Sequence, residues 1–164
     1  MAYFSNSDAP NAPDSNTTNL TYWRPGAAPI HVDDSRGVQN DAPALSLAYR
    51  ENAPRIAADL VREQGRSFDV RLWASADHTT WTSSVAIPRD GGDIMSWYHS
   101  LAIRSDGALA LASGSHSTAG GAQSVCSAPK LARSSDGIQW TTCGMSRTEL
   151  PSGTGGYVNA AFGP

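Results

Sequence analysis

One motif returns at a fixed interval along this chain, and the interval limits the fold more than any other feature. Leu72-Trp73-Ala74-Ser75-Ala76-Asp77-His78-Thr79-Thr80-Trp81-Thr82 aligns with Leu131-Ala132-Arg133-Ser134-Ser135-Asp136-Gly137-Ile138-Gln139-Trp140-Thr141 at an offset of 59 positions. Trp23 lies 58 positions before Trp81, with Thr17 and Asn19 ahead of it where the later copies have Ser-x-Asp. A second element keeps the same beat: Tyr98-His99-Ser100-Leu101-Ala102-Ile103 matches Tyr157-Val158-Asn159-Ala160-Ala161-Phe162, again 59 apart. Ser46-Leu47-Ala48-Tyr49-Arg50 matches Ser100-Leu101-Ala102-Ile103-Arg104 at 54. Self-similarity at a period of this size marks stacked repeats, each a small unit that cannot bury its apolar faces alone.

Each unit reads as β. The runs 44–49, 70–74, 100–103, 108–112 and 139–143 are short and bounded by Gly, Pro, Asp or Ser. In 55–64 the spacing of Ile56, Leu60 and Val61 also suits a short helix, whereas the repeat alignment makes this stretch a second strand. The third unit divides into strands at 98–103, 108–113, 130–134 and 139–143, with Asp106-Gly107 and Asp136-Gly137 as tight hairpin turns. Four-stranded units stacked radially make a β-propeller, normally of four to eight blades. The expectation is one partial, all-β propeller domain over 1–164. Residues 1–43 end one blade, 44–87 form the second, 98–143 the third, and 157–164 the first strand of the next. The remaining blades are expected from sequence outside these residues.

Composition narrows the function classes. With 40% hydrophobic residues the chain can build a core, and its net charge of −3 opposes nucleic-acid binding, which needs a basic surface. No run of 18 apolar residues is present to span a membrane. Residues 1–19 are polar, without the basic start and apolar centre of a signal peptide. Two cysteines do not make a structural zinc site by themselves, and neither a metal nor a cofactor is expected.

Ser134-Ser135-Asp136-Gly137-Ile138-Gln139-Trp140 resembles the Asp-box of bacterial-neuraminidase-type (BNR) repeats in its short Ser-x-Asp-Gly-x-x-Trp form. Ser75, Asp77 and Trp81 repeat it with His78 in place of the glycine, and the unit around Trp23 is degenerate. The resemblance implies a sialidase-like propeller in which these residues hold the turn between strands three and four. An Asp side chain there accepts hydrogen bonds from its own turn's amides. A glycine supplies positive φ, and the indole covers the turn. In that family this turn lies opposite the working face. The face itself would be formed by 30–42, 59–69, 88–97 and 114–128. Within or beside these segments stand Arg62, Arg89, Asp90, Asp93, Trp97 and His116, charged groups and an aromatic platform of the kind that suits a sugar.

Three functions are compatible with the residues. A sialidase-type glycoside hydrolase uses an arginine cluster for the substrate carboxylate, an Asp as acid/base and a Tyr–Glu nucleophile pair. Arginine suits the first task through its bidentate fork. The chain has Arg50, Arg55, Arg62, Arg66, Arg89 and Arg104, but Pro54-Arg55-Ile56-Ala57 only approximates the arginine motif. Catalytic residues are therefore not assigned. A non-catalytic secreted propeller binding a glycan or a protein partner needs none of those motifs, and a purely structural module needs still less. Cys126 and Cys143, 17 positions apart, are a candidate disulfide. A closed loop of that length would add about 3 kcal/mol and would indicate an extracellular or periplasmic protein.

Overall fold

A computed structural model describes residues 1–6, 17–36, 45–61, 68–88, 93–95, 99–117, 125–144 and 160–162. Among these residues the chain is all-β, with no helix and hence none long and apolar enough to cross a membrane. The strands form three antiparallel sheets in chain order.

The first sheet contains β1 (Ala2–Asn6), β2 (Thr17–Tyr22) and β3 (Ile30–Arg36) in that order. The second is an up-and-down meander of β4 (Leu45–Arg50), β5 (Ala53–Val61), β6 (Phe68–Ala74) and β7 (Thr82–Ile87). The third holds β8 (Asp93–Met95), β9 (His99–Ile103), β10 (Leu109–Ser117), β11 (Val125–Ser134) and β12 (Thr141–Gly144). Its five strands fill four rows. One edge of β10 pairs with β9 over Leu109–Ser113 and with β8 at His116 and Ser117. The β10–β11 ladder slips between Ser113 and Ser115, opposite Ser127 and Lys130. Pro129 lies in that slip, where a residue without an N–H does the ladder least harm.

The stretch with helical spacing is strand β5, as the repeat alignment requires. The reason is burial on both faces. Ile56 and Ala58 enter a core with Leu20, Tyr22 and Trp73, while Ala57 between them enters another with Val70, Leu72, Leu101 and Leu111. Alternate residues reaching opposite cores is the two-residue period of a strand, and it displaces the accidental i, i+4 match. The second sheet is thus the middle layer. Each fully buried Leu or Ile in these two seams contributes roughly 1.5–3 kcal/mol.

The sheets share a polarity. In the second, the β4–β5 hairpin and the β6–β7 turn lie at one end, because Arg55 pairs with Ala74 and Ser75 N–H donates to Pro54 O at 3.2 Å. In the third, the β9–β10 hairpin and the β11–β12 turn coincide likewise, since Leu109 pairs with Ser134. One contact recurs from segment to segment. Leu101 N–H of β9 donates to Ser46 Oγ of β4 at 3.1 Å, and Ala160 N–H donates to Ser100 Oγ of β9 at 3.0 Å.

Two expectations need correction. Trp23 is not the equivalent of Trp81 and Trp140. The three corresponding turns each contain one positive-φ residue: Gly26 (79°), His78 (66°) and Gly137 (78°). Trp81 and Trp140 follow theirs by three positions, whereas Trp23 precedes Gly26 by three and takes the place of Ser75 and Ser134. Thr17 and Asn19 lie inside β2. The first turn is instead Arg24-Pro25-Gly26-Ala27, with Ala27 N–H on Arg24 O at 3.2 Å, so Pro-Gly supplies geometry that a carboxylate supplies elsewhere. The segments expected as loops are also shorter than expected: 30–36 is β3, and β10 and β11 extend into 114–128.

Candidate functional site

The two ends of the sheets differ in chemistry. At the turn end, Asp77 and Asp136 build the same device. Asp77 Oδ1 accepts from Thr79 N–H at 2.8 Å, Thr80 N–H at 2.7 Å and Ser75 Oγ at 3.1 Å. Asp136 Oδ1 accepts from Ile138 N–H at 2.8 Å, Gln139 N–H at 2.9 Å and Ser134 Oγ at 3.0 Å. Ser134 Oγ in turn accepts from Gly137 N–H at 2.8 Å. Backbone amides favour the ionised form, so both carboxyls are held well below the usual carboxylate range. A carboxylate so engaged is a poor proton donor or acceptor near neutral pH, and both residues serve the turn.

Trp140 closes its turn by donating Nε1–H to Ser84 Oγ of the preceding sheet at 3.1 Å, and Ser84 Oγ donates to Gly137 O at 2.6 Å. Trp81 instead stacks edge-on against Tyr22, with ring centroids 5.2 Å apart. Tyr22, buried on β2, also places its hydroxyl 2.8 Å from His78 Nδ1 and 3.2 Å from the Tyr49 hydroxyl. Burial first, and then the Tyr49 hydroxyl, push the Tyr22 phenol up to about 12. This Tyr22–His78–Tyr49 cluster was not anticipated from sequence, although His78 in a glycine's place was its visible sign.

Arginines gather at the same end. Arg55 Nη1 donates to Pro54 O at 3.0 Å and Ser75 O at 3.1 Å, tying the hairpin to the turn. The Arg50 guanidinium lies directly against Gly107 of the next sheet, where it leaves no room for a Cβ. Its counterpart Arg104 pairs with Asp106, through Nε–H to Oδ1 at 2.9 Å, and covers the Phe162 ring at 5.4 Å. Pairing with Arg104 lowers the Asp106 carboxyl to about 2. Arg50, Arg55 and Arg104 therefore do not assemble at the expected working face.

At the opposite end the structure brings two of the sequence candidates onto neighbouring strands. Asp93 on β8 pairs with Ser117 of β10, and His116 of β10 pairs with Met95 on one side and Cys126 of β11 on the other. Arg62, Arg89, Asp90 and Trp97 lie outside the described residues. Among the described residues no group of three or more His, Cys, Asp or Glu is placed to hold a metal ion.

The candidate disulfide is overturned. Cys143 is a free, exposed thiol opposite Leu131, with Sγ 3.6 Å from Leu131 O. Cys126 sits five positions further along the same strand, opposite His116, which is about 16 Å at the rise of a strand and far beyond bridging range. The extended β11 ladder fixes as strand what was expected to be a loop able to fold back. With it goes the cysteine argument for an oxidising compartment. No family model and no curated protein sequence matches this chain.

Proposed function

We propose that these residues are consecutive blades of an Asp-box β-propeller of the sialidase-like superfamily, directed at glycans from the end opposite the Asp77 and Asp136 turns. The observation that carries the reading is the duplicated turn. Two successive sheets present, at the same end, a Ser-x-Asp turn with the same hydroxyl, the same two backbone amides and a closing tryptophan. The opposite end would carry Arg62, Arg89, Asp90, Asp93, Trp97 and His116, which by type can bind hydroxyls, a carboxylate and a sugar face. A sialidase-type exo-hydrolase is the catalytic form of this reading.

A second form has one observation in its favour. Arg55, in the segment nearest to the family's arginine motif, is bonded to Pro54 O and Ser75 O at the turn end. That leaves a non-catalytic propeller, holding carbohydrate or a protein partner without an arginine cluster, as the alternative. Two assays on the purified chain separate them: hydrolysis of a fluorogenic sialoside, and binding to an array of sialylated and neutral glycans. Turnover supports the hydrolase, and saturable binding without turnover supports the alternative. In either case Trp97→Ala should weaken binding at least tenfold, while Asp136→Ala should leave the affinity of folded protein unchanged. No glycan binding and no turnover would sink the reading. Binding lost in Asp136→Ala at unchanged stability would put the site at the other end.

A further inference from the structure

The β4–β5 hairpin departs from the corresponding parts of the other sheets at two positions, and both departures gather positive charge in one place. Arg50 corresponds to Arg104, each standing at the entry to its hairpin turn. Two residues after Arg104 comes Asp106, its ion-pair partner, whereas two residues after Arg50 comes Asn52. Arg55 has no arginine counterpart. It pairs with Ala74, which lies four positions before the positive-φ residue of its turn, and at the same point the other sheets pair Ala2 with Tyr22 and Ala110 with Arg133. Alanine suffices for the strand at both of those places, so the ladder itself does not require a long cation. Arg50 pairs with Ala53, and Arg55 with Ala48. Residues that pair across a ladder, or stand two apart along a strand, lie on one face. That face meets the third sheet, because Ala57 enters and Ala48 packs against the core the two sheets share. As diagonal neighbours the two arginines stand about 7–8 Å apart at the backbone.

Backbone, not a carboxylate, holds each guanidinium. Arg55 Nη1 donates to Pro54 O at 3.0 Å and Ser75 O at 3.1 Å, which engages one of its three nitrogens. Arg50 rests on Gly107, whose missing Cβ admits it. Among the described residues neither makes an ion pair. Burial first, and then the Arg50 charge, lower the Arg55 guanidinium below its ordinary value. Two like charges fixed in one seam repel, and a bound anion reverses the sign of that interaction. We infer that Arg50 and Arg55 form a binding site for a tetrahedral oxyanion, phosphate or sulfate, at the turn end of the seam between the second and third sheets. The site is remote from the candidate glycan-binding residues and does not rest on that reading. A guanidinium presents a planar fork of donors that matches a pair of oxygens. A tetrahedral oxyanion can offer a pair to each of two forks, whereas a carboxylate has a single pair. The free ion and an ester of the same acid share this chemistry.

The test is a titration of the purified 164-residue chain with inorganic phosphate to about 100 mM at constant ionic strength. It is read by the arginine Nε–H and Gly107 amide resonances and by Tm. Saturable binding in the millimolar range is expected, with shifts at Arg50, Arg55 and Gly107 and a rise in Tm. Inorganic sulfate should compete, and acetate should bind at least tenfold more weakly. Arg50→Gln and Arg55→Gln should each weaken phosphate binding at least tenfold. Asn52→Asp keeps both arginines but sets a carboxylate beside Arg50 as Asp106 stands beside Arg104. It should weaken binding by a similar factor with an unchanged β-type circular dichroism spectrum. Arg104→Gln should leave the affinity unchanged, because that charge is already matched. A sugar phosphate that binds more tightly than the free ion supports the site with an ester as its ligand, and one that does not supports it with the free ion. Absence of saturation, acetate binding as well as phosphate, or unchanged affinity in Asn52→Asp overturns the proposal. So does an equal loss in Arg104→Gln, which would mean diffuse surface charge in place of a site.

Discussion

The seam between the first and second sheets and the seam between the second and third use the same turn against different surfaces. In the second seam Gly137 presses on aliphatic side chains: an added Cβ would meet Leu72 Cδ2 at 3.2 Å and Leu109 Cδ1 at 3.3 Å. In the first, His78 occupies the equivalent left-handed position at φ 66°, and its ring stacks on Tyr22 with centroids 5.8 Å apart. A residue with a Cβ in that region costs roughly 1–2 kcal/mol, and a hydrogen bond of the Tyr22–His78 kind returns about 1 kcal/mol. The two seams teach that the carboxylate sets the shape of the turn, while the positive-φ residue is chosen by what the neighbouring sheet presents.

Exchanging those residues breaks the comparison most sharply. Gly137→His adds left-handed strain to a contact already closed by Leu72 and Leu109, and should lower stability by about 2 kcal/mol or more. His78→Gly gives up the Tyr22 bond but relieves the backbone, so its net change should stay within about 1 kcal/mol. Denaturant midpoints at constant m would measure both. Equal losses would mean that the two turns are not the same device.

A smaller effect comes through pH, and here the seams diverge in direction. Asp77 and Asp136 titrate below their ordinary value in the folded protein. The stability they confer is therefore present above the ordinary carboxylate range and is lost as pH falls through the folded values. Asp136→Ala should abolish the part of the acid transition that belongs to the third sheet. Tyr22 is raised from 10.0 to about 12, so its contribution is complete below pH 10 and is lost as pH rises toward 12. That alkaline loss belongs to the first seam alone and should vanish in Tyr22→Phe, which at neutral pH should cost about 1 kcal/mol. Thermal melts from pH 2 to 12 give both limbs. An alkaline loss that persists in Tyr22→Phe would mean that another group carries it.

What was legible in the sequence followed locality. The strands of the third unit were readable because Asp106-Gly107 and Asp136-Gly137 punctuate them, and the Asp turns because every donor lies within three residues of its acceptor. Trp23 misled because the indoles were counted at the repeat's spacing, while the actual turn signal, Pro25-Gly26, stood two residues later. The length of β11 was hidden by Pro129, which reads as a loop but sits harmlessly in a ladder slip. The Tyr22–His78 contact joins residues 56 apart in sequence and exists only once two sheets are stacked. Of the candidate site, residue types were legible, while the end of the sheets that carries it is an expectation drawn from the resemblance. The register adds that Asp93 and His116 reach neighbouring strands there.

The smallest effect separates the two tryptophans that close the Asp turns. Trp140 Nε1–H has Ser84 Oγ at 3.1 Å. Trp81 Nε1, cut off from solvent, has no hydrogen-bond partner among the described residues. The corresponding strand of the first sheet has Val32, packed against the same core as Trp81, and Asp33, next along, receives Trp73 Nε1–H at 3.0 Å. A buried donor without a partner forfeits its hydration and gains nothing in exchange. Phenylalanine at either position sacrifices similar indole area, so the area term nearly cancels in the comparison. Only Trp140→Phe also loses a made hydrogen bond and leaves Ser84 Oγ one donor short, whereas Trp81→Phe removes an unsatisfied N–H. Trp140→Phe should therefore cost about 1 kcal/mol more than Trp81→Phe, read as a difference in denaturant midpoint. Equal costs, or a larger one at Trp81, would show that the indole N–H of the first seam is satisfied in solution and that the seams differ less than their side chains suggest.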